Sequence, residues 1–160
     1  MIQEFSVRKL VLSIVVSSLM LLLPTEPYAQ QDNVEMRTSS GEFEDISQAV
    51  EDAIINRGYV IDYHGYIGEM LKRTAADVGA EKSLYENAEF FSFCSAVLSR
   101  KMMEVDIGNI AYCPYVIFVY SEAEASNTVS IGFRRLPEGS GRDQINELLS
   151  EIVTEAADGL

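Results

Sequence analysis

The chain has 160 residues, with 12 basic against 25 acidic side chains, a formal charge of −13 and two cysteines. Such a balance excludes the basic footprint that nucleic-acid binding needs and favours solubility and cationic partners. The local basic stretches "SRKMM" and "FRRLPEGSGR" are short, lie beside acids, and read as solvated faces or turns.

In chain order, Arg8 and Lys9 precede an uncharged apolar run over residues 10–23 ("LVLSIVVSSLMLLL") that stops at Pro24. That is the shape of a signal peptide, and the run is shorter than the roughly 17 to 25 residues a membrane-crossing helix requires. Cleavage is expected near Ala29, so residues 1–29 are a signal peptide and the mature chain is periplasmic or secreted, with no stable membrane anchor. Residues 30–40 ("QQDNVEMRTSS") are polar and aperiodic, as in a disordered leader. Residues 41–158 are long enough for one domain with a sizeable core.

Within that domain, Ile46, Ala49, Val50, Ala53 and Ile54 share one helical face, with Asp45 as cap, Gln48 three residues on, and Gly58 as terminator. "YVIDYHGYI" reads as a strand with Tyr59, Ile61 and Tyr63 on one face and Val60, Asp62 and His64 on the other. Ile67, Met70, Leu71, Ala75 and Val78 give a second helix ending at Gly79. "AEFFSFC" is a strand that separates Phe91 and Phe93 from Phe90, Ser92 and Cys94. A short helix through Leu98, Met102 and Val105 breaks at Gly108 and Asn109, and "PYVIFVY" has the continuous apolar character of a central strand. The loop "SEAEASN" joins it to "TVSIGFRRL" in a hairpin, and Ile145, Leu148, Leu149, Ile152, Val153 and Ala156 mark a C-terminal core helix. The predicted fold is a single α+β domain, a mixed or antiparallel sheet with helices packed on it, in the order β-α-β-α-β-α-β-β-α.

Three stretches, "INRGYVIDY", "FFSFCSAVL" and "DIGNIAYCPYVIFVY", give residues 41–137 a resemblance to the bacterial domain of unknown function 302. Many members resemble this chain in carrying a cysteine at each of two places, here Cys94 and Cys113. Ser95 and Ala96 stand where an Asn-Pro is common, and Pro114 follows Cys113 where a proline more often precedes it. The resemblance implies a compact α+β domain and brings no established activity.

Cys94 and Cys113 are the chemically distinctive pair. If residues 106–112 climb back along the sheet, the two lie at one end of antiparallel strands, within disulfide range; if not, the strands are parallel and the sulfurs far apart. Adjacency is expected, because an even cysteine count in an exported chain suggests pairing. The pair then reads as a structural disulfide or as a redox dithiol activated by a helix N-terminus, although no C-x-x-C motif is present. His64, Met102 and Met103 are soft or borderline ligands that could join the cysteines around Cu(I), but their spacing does not argue for it, and a metal site is not expected.

His64 is the only histidine and is expected to hydrogen-bond a neighbour at a strand end. No G-x-S-x-G elbow accompanies it. The expected function is an exported binding or accessory domain with no identifiable catalytic centre and no cofactor. Its partner is an unspecified small ligand or periplasmic protein, bound at the edge formed by the cysteines, His64, Tyr112 and Pro114. A thiol-based redox or sulfur-transfer factor using Cys94 and Cys113 is the alternative.

Overall fold

A computed structural model describes residues 33–159. The signal segment and its cleavage site near Ala29 lie outside them. Five strands form one antiparallel sheet in the order β1-β5-β4-β3-β2. These are β1 (Val34–Ser40), β2 (Ile61–Tyr66), β3 (Tyr85–Phe93), β4 (Tyr115–Glu122) and β5 (Ala125–Arg134). The helices are α1 (Phe43–Ile55), α2 (Ile67–Thr74), α3 (Ala96–Val105) and α4 (Asp143–Asp158), with a 3-10 helix at Ile107–Tyr112. The element order is the one the sequence predicts.

The core lies on one face of the sheet. Phe91 and Phe93 of β3, Tyr115, Ile117 and Val119 of β4, and Val129, Ile131 and Phe133 of β5 alternate inward, as the period-2 pattern requires. They meet Ile46, Val50, Ala53 and Ile54 of α1 and Ile145, Leu149, Ile152 and Val153 of α4, all essentially inaccessible to water. β4 is the central strand, and its apolar run alternates between the core and the opposite face.

Four expectations change. Residues 34–40 are not a disordered leader: they form β1 and pair with β5 from Val34↔Arg134 to Ser40↔Thr128. The strand hides its apolar signal because it is an edge strand with few inward side chains, held instead by polar links. Ser150 of α4 donates to Glu35, Arg135 pairs with Glu35, and Ser39 donates to the Ala157 carbonyl. α1 starts at Phe43, ahead of Asp45; its cap position is Glu42, with no side-chain cap bond, and Gln48 donates to Asp52 rather than closing a capping box. Gly58 does end it in the left-handed region, at φ 81°.

A bulge in β2 between Ile61 and Tyr63 breaks the expected alternation. Ile61 lies opposite Phe93 and packs against the core, while Tyr63 packs on Phe90 of the other face. The expected "SEAEASN" loop contracts to a tight turn at residues 123–124, with pairing resuming between Glu122 and Ala125.

Among the described residues the second sheet face is covered only in part, by α2, whose Gly68 rests against the Ala88 backbone. Elsewhere it presents Phe90, Val116, Phe118, Tyr120, Val34 and Met36, several of them exposed. Phe90 lies across Gly65, and Phe118 across Gly132. A Cβ at Gly65 would stand 2.1 Å from the Phe90 ring, and one at Gly132 would stand 2.6 Å from Phe118 and from the Glu35 carbonyl. Each ring is therefore laid flat by a glycine that only a missing side chain can supply.

Candidate functional site

Antiparallel pairing sets Phe93, the last residue of β3, opposite Tyr115, the first of β4. Cys94 and Cys113 flank that pair at one end of the sheet. Their Cα atoms are 6.4 Å apart and their sulfurs are bonded. The return path is α3 followed by the 3-10 helix, which climbs back along the sheet as the adjacency reading requires. Asp106 caps the 3-10 helix by accepting from the Gly108 N–H. Ser95 caps α3 by accepting from the Leu98 N–H, so Cys94 immediately precedes a helix N-terminus. Both cysteines are half-buried.

The inner side of the disulfide is polar but closed. Ser99 Oγ lies 3.7 Å from Cys113 Sγ and 2.6 Å from Tyr115 Oη. Burial pushes the Tyr115 phenol above its ordinary value, against the Ser99 hydrogen bond that lowers it, and Tyr59 adds to the rise. Asn109, buried in the 3-10 helix, donates to the carbonyls of Met102 and Ser140 and accepts from Arg142. Arg142 also donates to the carbonyls of Pro137 and Glu138 and lies 5.2 Å from the centre of the Tyr112 ring. These bonds fasten the 3-10 helix to the loop before α4 and hold Tyr112 in place.

Tyr112 and Pro114 line a groove of about 580 Å³ at this end, together with Val116, Phe118, Arg134 and Arg135. Among the described residues no carboxylate lines it. Arg135 is paired with Glu35, whereas Arg134 has no carboxylate within ion-pair distance among the described residues. A second groove, of about 500 Å³, runs over the open sheet face between α2 and the strands and is lined mainly by Ile67, Tyr85, Phe90 and Tyr120. Val116 and Phe118 line both grooves.

His64 stands apart from the cysteine end. It is opposite Phe91, three residues before Cys94, and its ring stacks on Phe91 at 4.2 Å. It is an interior residue of β2, not a strand end. Its Nε2 lies 2.9 Å from Glu89 Oε2, to which Ser47 of α1 also donates, and its Nδ1 shares a hydrogen bond with the Tyr66 hydroxyl. This cluster ties the edge strand β2 to β3 and α1. Neither Ser47 nor Glu89 was singled out from the sequence, although one acid inside the apolar run "AEFFSF" is the mark of an inward-facing carboxylate needing partners. Met102 is fully buried in the core. No group of three or more His, Cys, Asp or Glu side chains placed to share a metal ion comes together among the described residues.

Among solved structures the chain is similar to the uncharacterized conserved protein DUF302 from Bacillus stearothermophilus, with a TM-score of 0.62 and 13% sequence identity over 77% of this chain and 97% of that one. The chain has the DUF302 fold. No protein-family model and no curated protein matches the sequence. The DUF302-like architecture accounts for nearly the whole of that neighbour.

Proposed function

We propose that this DUF302-like chain is an exported binding domain that takes a small anionic ligand in the groove at the disulfide end of the sheet. The observation that carries the reading is the lining of that groove: among the described residues it holds Arg134, which has no ion pair there, and Arg135, paired with Glu35, but no carboxylate, in a chain with more than twice as many acids as bases. Against a negative background, such a cleft concentrates positive potential where Tyr112 and Pro114 supply rigid walls. Export fits the charged start and apolar run of the leader.

Anilinonaphthalene sulfonate, an amphipathic anion with a fluorescence readout, tests the site. Binding that weakens about tenfold on Arg134→Gln, with the melting temperature unchanged, supports the assignment. Binding indifferent to Arg134 and to Tyr112→Ala refutes it.

A second reading, thiol exchange, is favoured by one observation: the disulfide is half-buried and Cys94 stands directly before the N-terminus of α3. An external thiolate attacking one sulfur would release the other as a thiolate, and a helix N-terminus stabilises such a charge at Cys94. A bond that serves only as a staple resists mild reductant. Its loss in a Cys94→Ser/Cys113→Ser variant should cost about 3 kcal/mol, from a closed loop of about 20 residues. Rapid titration by glutathione with little loss of stability would favour exchange instead.

A further inference from the structure

We propose that the ligand of the anion-binding groove is a medium-chain acyl carboxylate, its head group on Arg134 and its tail lying along the open sheet face beneath α2. This rests on the binding reading above and names its ligand class. Three observations combine. The two grooves share Val116 and Phe118 as lining, so the charged end and the apolar face adjoin at those two residues. Arg134 follows Phe133, the partner of Ile117, and so stands at the Val116 end of that junction.

Beyond that junction the wall is apolar: Phe118, Phe90, Tyr120 and Ile67. Glu89 also borders it, but its carboxylate is held by Ser47 and His64. The walls are preformed, since Gly65 and Gly132 let Phe90 and Phe118 lie flat and leave a smooth floor.

Length and charge then select the occupant. From Val116 to Tyr120 the strand advances about 14 Å, at about 3.4 Å per residue, which is the reach of a medium-chain tail and far more than acetate or a short acid would fill. Burying methylenes is favourable in proportion to the area removed from water. A guanidinium without a protein carboxylate binds a ligand carboxylate in the forked geometry it prefers. A neutral alcohol of the same length would gain only the tail contribution. A cationic amphiphile would meet Arg134.

The test is calorimetric titration of the protein with decanoate, hexanoate and decanol. Decanoate should bind at least about tenfold more tightly than hexanoate, four further methylenes being worth up to about two hundredfold when fully buried. Arg134→Gln should weaken decanoate about tenfold and leave decanol unchanged. Val116→Glu, at an exposed position of the junction, should abolish decanoate binding without lowering the melting temperature.

If decanoate and hexanoate bind equally and both depend on Arg134, the tail placement is wrong while the anion-binding reading stands. If neither they nor anilinonaphthalene sulfonate depends on Arg134, both fall. A sedimentation result showing a dimer that Val116→Glu dissociates would also overturn the proposal, because a second copy would then cover the face.

Discussion

Tyr115 shows how one side chain joins the site to the core. Its ring packs edge-on against Phe93 at 5.8 Å, and its hydroxyl meets Ser99 beside Cys113. Because burial raises its pKa, the neutral phenol is the form the fold prefers. The sign follows from linkage: this contribution is fully present below the ordinary tyrosine value of 10.0 and is lost as pH rises through the higher folded value. Denaturation measured from about pH 9 to pH 12 should therefore show a loss of stability that Tyr115→Phe reduces. The same variant should cost about 1 kcal/mol at neutral pH, since Ser99 loses its partner. An unchanged alkaline profile in the variant would place the titration elsewhere.

Elements differ in how they are held, and the difference predicts how they respond to change. α4 buries an entire stripe, so Leu149→Asp places an unpartnered charge in the core and should cost about 3 to 5 kcal/mol in chemical denaturation. Unchanged stability would contradict that face. β1 buries little, yet it completes the β5 ladder and is tied to α4 through Glu35 and Ser39. Beginning the chain at Gly41 should lower the melting temperature by about 10 °C or more. An unaltered melting temperature would make residues 34–40 dispensable, as in the disordered-leader reading. α4 was legible because six apolar residues repeat at helical spacing; β1 was not, because its stabilising partners are distant in sequence and its own side chains are mostly polar.

At the scale of the folded domain, a sheet with one face in the core and the other only partly roofed among the described residues combines a stable scaffold with an apolar surface. The disulfide closes the end of that scaffold where the candidate site lies. Export, as proposed, would place that bond in an oxidising compartment, which preserves disulfides. Expression of the full chain in a bacterial host, followed by intact-mass measurement of the periplasmic fraction, should find a species lacking residues 1–29. A mass that retains them would refute cleavage.

Local periodicity and cysteine count were sufficient for the α+β class, the order of elements from α1 onward, the division of β3 into two faces, the buried stripe of α4, and the expectation that Cys94 meets Cys113. Those features depend on side-chain spacing within one element, or on the length of one connection. Strand order, the β2 bulge, the recruitment of β1, the Ser47–Glu89–His64 cluster and the acid-free groove around Arg134 depend on which strands become neighbours. That choice is made by the packing of the whole core, where residues more than 100 positions apart, such as Glu35 and Ser150, come into contact, and no local pattern records it.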